Sequence, residues 1–191
     1  MALLTFSTRI ETERLLLRAY APADAADAAG LIDRNQGDLV ESFPKMVARV
    51  VARGDAEGYV REKFELWAAL KAFWYGIWPK SGGPQIGEIN VKNIDWEIPS
   101  GELGYFIDAG YRRRGMAAEA MQALLSPCLD ALGFRRVFVR VFPDNGASLA
   151  LARSVGFRRE GLHRNDFLSG KGRVRDLVYL SITDADWRER A

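Results

Sequence analysis

The passage from Leu103 to Leu132 restricts the fold of this chain more than any other. A β-type run, Leu103 to Ile107, gives way to Asp108-Ala109-Gly110-Tyr111-Arg112-Arg113-Arg114-Gly115, and a long helix follows from about Arg114 to Leu132. Ala117, Met121, Leu124, Cys128, Leu129 and Leu132 fall on one stripe, so this helix must lie against an apolar layer. Pro127 lacks a backbone donor and predicts a kink or break, and Gly133 fits as the terminator. The start of such a helix presents unpaired N–H groups and partial positive charge, which suit a phosphate. Gly115 permits close main-chain approach, Ala117 and Ala118 keep the first turn free of bulk, and three arginines attract an anion from further away. A solvated basic loop before an ordinary helix explains the same residues equally simply. The stretch is not a dinucleotide fingerprint, since G-x-G-x-x-G is absent, nor a P-loop, since no Gly-Lys-Ser/Thr follows.

The rest of the chain supplies the layer. Further strands are expected over Arg14–Tyr20, Phe73–Trp78, Gln85–Asp95, Arg136–Phe142, Leu162–Leu168 and Arg173–Ile182. Ser81-Gly82-Gly83-Pro84 makes a hairpin of the second and third, Ser169-Gly170-Lys171-Gly172 joins the last two, and Pro99-Ser100-Gly101 is a break. Helical spacing runs from Asp24 to Asp33, and from Asp55, as N-cap, to Lys71 with Val60, Phe64, Trp67 and Leu70 on one face. A short helix, Ser148 to Ser154, closes at Gly156, while Phe43–Arg53 is ambiguous. This order predicts one α/β (α+β) domain over residues 1–191, with a central mixed, mostly antiparallel sheet of about seven strands and helices on both faces.

Composition narrows the class. Hydrophobic residues make up 48% and charged residues 27%, which excludes a disordered chain. A net charge of +2 from 27 basic and 25 acidic side chains is too balanced to point to nucleic acid or a membrane surface. The single cysteine, Cys128, excludes an internal disulfide and fits a reducing, cytoplasmic setting. One cysteine and one histidine leave no zinc or haem spacing, so no metal is expected. Met1–Ile10 lacks the apolar core of a secretory leader, and no run approaches the ~18 apolar residues of a membrane span.

Two motifs then stand together. Arg112-Arg113-Arg114-Gly115-Met116-Ala117 follows the pattern Arg/Gln-x-x-Gly-x-Gly/Ala, and Asn145-Gly146-Ala147-Ser148 is followed after a short helix by Gly156-Phe157. Both resemble the GNAT superfamily of N-acetyltransferases. Thr12-Glu13-Arg14-Leu15-Leu16-Leu17-Arg18, Glu102-Leu103-Gly104-Tyr105-Phe106, Glu160-Gly161, Asp176 and Trp187 resemble, in order, the branch that acetylates ribosomal-protein N-termini. The resemblance implies a GNAT-like fold with acetyl-coenzyme A as cosubstrate and no metal. It places the coenzyme pyrophosphate on the turn Arg112, Arg113, Arg114, Gly115, Met116, Ala117 and Ala118. It pairs the pantetheine arm with Ile107 and brings Asn145 and Ser148 beside that arm. Many members carry a Tyr, as the acid that protonates the leaving thiolate, where this chain has Ala152. In the ribosomal-protein branch the residue matching Ser148 takes that role. Taken as bare residues, Asn145-Gly146 is a turn and Ser148 a helix cap.

An acceptor amine must lose a proton before it attacks. Near pH 7 an α-amine with pKa ~8 is about 10% neutral, a lysine with pKa ~10.4 about 0.04%. A carboxylate working through water is enough for the former. Glu102, at the entry of the strand leading to the turn, is the first choice by resemblance, and Glu88 the second; each also reads as a solvated surface carboxylate. Cys128 belongs to the apolar helix face, and His163 reads as a surface strand residue. Trp67, Phe73, Trp74, Tyr75, Trp78 and Trp96 are mostly core, and residues 37–58 form one wall of an acceptor groove. Four readings follow: acetylation of a protein N-terminal α-amine, acetylation of an antibiotic or polyamine, a coenzyme A-binding module without turnover, and RNA binding through Arg112–Arg114. The balanced charge argues against the last. A monomer and a homodimer are both compatible with the sequence.

Overall fold

The computed structural model describes residues 6–190. Residues 1–5, part of the opening stretch read for a leader, and Ala191 lie outside the described residues. Eight strands form one sheet: β1 (Arg9–Glu11), β2 (Leu15–Ala19), β3 (Phe73–Pro79), β4 (Gly87–Asp95), β5 (Ser100–Ile107), β6 (Arg136–Val141), β7 (Arg158–Leu168) and β8 (Val174–Thr183). Their spatial order is β1-β2-β3-β4-β5-β6-β8-β7, and every neighbouring pair is antiparallel except β5 and β6. The mixed, mostly antiparallel sheet is the one expected, with one strand more. That strand, β1, is three residues long and too short to show an alternation of its own.

Alternation along the strands separates two apolar layers. Phe73, Tyr75, Ile77, Ile89, Val91 and Leu103 face one side and pack with Met121, Leu124, Cys128 and Leu132. Those four come from α5 (Met116–Ser126) and the segment after it, and α6 (Gly146–Val155) adds Ala152 and Val155. The opposite side, with Trp78 and Phe106, is covered by α1 (Ala25–Arg34), α2 (Gln36–Ser42), α3 (Pro44–Val47) and α4 (Ala56–Ala68). A last short helix, α7 (Asp184–Arg188), follows β8. No helix among the described residues is long and apolar enough to cross a membrane.

Several local expectations shift. The central helix begins at Met116, two residues later than expected, because Gly115 adopts a left-handed φ of 77°. After Ser126 it passes into a wider π turn, Pro127–Ala131, at the expected proline. Ser100 and Gly101 are already β5, paired with Arg136 and Val137, so the break stops at Pro99. In α4 the Asp55 carboxylate caps as expected, accepting from the Gly58 N–H at 2.9 Å. Its buried stripe, however, is Tyr59, Val60 and Lys63, leaving Phe64 and Leu70 exposed. Lys63 is accommodated because its ammonium lies over the Trp74 ring at 3.5 Å and the Tyr59 ring at 4.3 Å. Of the aromatic group, Phe73, Tyr75 and Trp78 are core, whereas Trp96 is exposed and edges against Phe73 and Phe134.

One departure from sheet regularity positions everything that follows. β5 and β6 pair only at Ser100–Arg136, Gly101–Val137 and Glu102–Phe138, although both strands continue. β5 remains paired to β4 as far as Ile107. Beyond Glu102 the edge of β5 that faces β6 therefore has no strand partner among the described residues, and a main-chain edge opens in the middle of the sheet.

Candidate active site

β5 leads from that opening into the basic turn. Arg113 and Gly115 both adopt left-handed φ, 60° and 77°. A non-glycine residue held this way costs energy and marks a turn built for a purpose. No side chain caps the start of α5, so the donors of its first turn remain available. Small residues, uncapped donors and adjacent arginines fit a diphosphate.

The turn is braced from two sides. The Arg14 guanidinium donates to the Arg114 carbonyl at 2.9 Å and, through Nε, to the Glu119 carboxylate at 2.7 Å. The Arg14 N–H and the Thr12 hydroxyl donate to the other Glu119 oxygen at 2.9 and 2.5 Å. The Thr12-Glu13-Arg14 motif thus ties the turn between β1 and β2 to the first turn of α5. Burial pushes the Glu119 carboxyl up, but Thr12 and Arg14 outweigh it and hold the group below its ordinary value. On the other flank the Asp108 carboxylate accepts from the Gly110 N–H at 3.0 Å and pairs with Arg34, while Asn35 accepts from the Ala109 N–H at 3.0 Å. Arg112 donates to the Ile107 carbonyl at 3.1 Å and to Asp38 at 2.6 Å, so α2 touches the turn directly.

A cleft of about 970 Å³ runs along this turn and is lined by Ile107, Arg112, Arg113, Gly115, Met116, Ala117, Asn145 and Ser148, among others. Arg114 and Ala118 are not among its lining residues; the Arg114 guanidinium lies 5.4 Å from the Tyr111 ring. Residues 37–39 and 41–43 form the facing wall, within the segment expected to do so. A smaller cavity of about 140 Å³ adjoins it, with Lys92, Glu102 and Arg140 on its wall. Ser42, Phe43, Tyr105, Phe142, Asn145 and Ser148 line both, so the two meet where β5 and β6 have parted.

At that junction Asn145, not Ser148, is the helix cap. Its side-chain oxygen accepts from the Ser148 N–H at 3.0 Å. Asn145 stands one residue before the helix, where its side chain reaches the third N–H; Ser148 already lies inside the first turn. Its hydroxyl therefore takes no part in the cap.

The two carboxylates differ in place. Glu102 is 6% exposed, faces the small cavity and is no solvated surface group. Its oxygens meet Arg140 at 2.9 Å, Asn93 at 2.7 Å and Lys92 at 3.6 Å. Glu88 lines neither cavity. It is buried beneath α1 and α4, accepting from the Tyr20 and Tyr59 hydroxyls at 2.7 Å each. Burial pushes its carboxyl up, with Lys63 and the two tyrosines opposing. Cys128 is fully buried, and its thiol is pushed above the range in which it titrates as a surface group. His163 is exposed on β7 and stacks on Tyr179 at 3.8 Å. Arg14 and Tyr105 stood in quoted motifs without a role of their own, and Glu119, Lys92 and Arg140 were not singled out from the sequence; the signal for Arg140 was a charge between two valines of a strand.

Comparison with known proteins identifies the family. Residues 14–158 match the family model described as "Acetyltransferase (GNAT) domain". The chain is 28% identical over 180 residues to the [ribosomal protein uS5]-alanine N-acetyltransferase of Escherichia coli (strain K12), covering 94% of this chain and 92% of that one. It is 31% identical over 113 residues to the uncharacterized N-acetyltransferase p20 of Bacillus licheniformis, a match spanning 59% of this chain and 63% of that protein. The crystal structure of a ribosomal-protein-S5-alanine acetyltransferase from Vibrio fischeri superposes with a TM-score of 0.83 at 24% identity, covering 95% and 99% of the two chains. The chain belongs to the GNAT acetyltransferase family, whose cosubstrate is acetyl-coenzyme A.

Two outcomes are expected. Gly115→Val forces a β-branched residue into left-handed backbone beside Arg14. Isothermal titration should show coenzyme A binding weakened by roughly tenfold or more, since the donors of the turn are displaced. Glu119 has a depressed folded pKa, so its contribution to stability is present above the unfolded carboxylate value (about 4.3) and is lost as pH falls through the folded value. Melting curves should show Glu119→Gln less stable than wild type near pH 7, with the difference narrowing below about pH 4.

Proposed function

We propose that the protein transfers the acetyl group of acetyl-coenzyme A to the α-amine of a protein N-terminus. The observation that supports this best is the junction of the two cavities at Tyr105, Asn145 and Ser148, with the diphosphate turn at one end and Glu102 beyond the other. The coenzyme supplies an activated acetyl thioester. In this reading Arg112, Arg113, Gly115, Met116, Ala117 and the N–H groups of the first turn hold its diphosphate, with Arg114 and Ala118 shaping the turn. Ile107 and Asn145 border the path of its arm.

The acceptor amine enters from the small cavity. Its nitrogen attacks the acetyl carbon, the N–C bond forms and the C–S bond breaks. Free main-chain donors of β5 lie where negative charge builds on the acetyl oxygen. Glu102 takes the amine proton through water, and the Ser148 hydroxyl gives a proton to the departing sulfur. Much of the rate comes from holding amine and thioester in contact.

The charges of the pocket favour an α-amine over a polyamine or aminoglycoside. Lys92 and Arg140 stand beside the one carboxylate of the small cavity, and Arg112, Arg113, Lys171, Arg173 and Arg175 line the cleft against Asp38, Glu41 and Asp144. A polycation would be repelled there, whereas an amine of pKa ~8 enters neutral at a cost of only ~1.4 kcal/mol near pH 7. The uS5-alanine enzyme of Escherichia coli, alike along almost its whole length, is named for such an acceptor.

The reading is tested with a panel of peptides bearing free or blocked N-termini, beside spermidine and an aminoglycoside, while thiol release is followed. Free N-termini should be acetylated, and the blocked peptides and polyamines should not. Glu102→Gln should lower kcat roughly 10²-fold at pH 7 and recover part of the loss as pH rises toward 9, where the amine deprotonates unaided. A wild-type rate for that variant at all pH values would remove Glu102 from the chemistry.

A further inference from the structure

Tyr105 lies on β5 three residues beyond the last pair with β6 and lines both cavities. Its hydroxyl oxygen is shut off from solvent and makes no hydrogen bond of good geometry among the described residues. Ser148 lines the same two cavities, and it is the side chain whose hydrogen bonding acts on the Tyr105 phenol. A buried hydroxyl left without a partner disfavours the fold, so its retention calls for an explanation. The Ser148 hydroxyl is equally uncommitted, since the cap of α6 uses the Ser148 N–H and the Asn145 side chain. Two uncommitted hydroxyls thus meet at the point where the cleft and the small cavity join.

We propose that Tyr105 is a positioning residue for the leaving-group step, donating its phenolic proton in a hydrogen bond to Ser148 Oγ and so aiming the Ser148 proton into the junction. The inference rests on the transferase reading above. A serine hydroxyl has one proton and two lone pairs. Once one lone pair is taken by Tyr105, its own O–H is turned away from β5. Burial pushes the phenol up, against the smaller effect of Ser148, so Tyr105 keeps its proton and remains a donor throughout the cycle. In the step itself the C–S bond breaks and the sulfur takes the Ser148 proton. The oxygen left behind is stabilised by the Tyr105 donor and recovers, through water in the small cavity that Ser148 and Glu102 both line, the proton that Glu102 took from the attacking amine. Amine and thioester become amide and thiol, with no other reactant consumed.

The test is a double-mutant cycle on the full-length protein with acetyl-coenzyme A and an accepted peptide. Tyr105→Phe removes one oxygen and keeps the ring. It should lower kcat about tenfold, leave the KM for acetyl-coenzyme A and the melting temperature unchanged, and have no further effect in a Ser148→Ala background. Ser148→Thr, which keeps a hydroxyl, should retain sensitivity to Tyr105→Phe. A wild-type kcat for Tyr105→Phe, a tenfold loss that repeats in Ser148→Ala, or a loss confined to KM and melting temperature would each overturn the proposal. If the wild-type protein released no thiol with any amine, the transferase reading itself would fail, a result distinct from these.

Discussion

The parting of β5 from β6 is the constraint on which the rest of the structure depends. A sheet normally satisfies its main chain by pairing, and an interior strand has no reason to present a bare edge. Here two parallel neighbours pair over three residues and then separate, while β4 and β8 hold their outer sides. The gap admits a ligand to the centre of the sheet. It also lets β5 point at α5, so that main-chain donors of a strand and of a helix start address the same cleft. Parallel pairing makes this possible, because both strands then run toward the same end and diverge together.

A gap of this kind needs fixed walls. Glu102 and Arg140, in and just beyond the last paired residues, bridge the strands with a 2.9 Å ion pair at the point of separation. Farther along, Thr12, Arg14 and Glu119 tie the turn between β1 and β2 to α5, and Arg34, Asn35 and Asp108 tie α1 to the end of β5. The carboxylates of Glu102, Glu119 and Asp108 are mostly shielded from solvent and each accepts from several donors, which makes these pairs more effective than surface ones. The acidic residues of α2 complete the rim: Asp38 holds Arg112, and Glu41 holds Arg175 at 2.9 Å.

Much of this was legible in the sequence, and the limits have physical reasons. The turn before α5 could be read because glycine, small residues and arginines leave a local signature. Seven strands could be read from their apolar runs, whereas β1 could not, having only three residues. The face of α4 was legible in part: Val60 is buried and Trp67 packs on the core as their spacing predicts, whereas Lys63 is buried and Phe64 exposed because a lysine over two aromatic rings behaves as an apolar group, which spacing alone does not reveal. Glu102 and Glu88 looked alike as strand carboxylates. Only the pairing register puts Glu102 opposite Lys92 and Phe138 at the opening and Glu88 opposite Phe106 beneath the helices. Tyr105 and Ser148 lie 43 positions apart in the chain. Nothing local joins them, and their meeting depends on how α6 lies against the parted strands.

The central claim is that the open edge of β5 and the uncapped first turn of α5 together grip the cosubstrate. Amide hydrogen exchange with and without coenzyme A tests it directly. The account predicts strong slowing confined to β5 beyond Glu102 and to residues 113–118, with β4 and β8 unchanged. Binding that left those amides exchanging at their free rates, while protecting another face of the sheet, would contradict it.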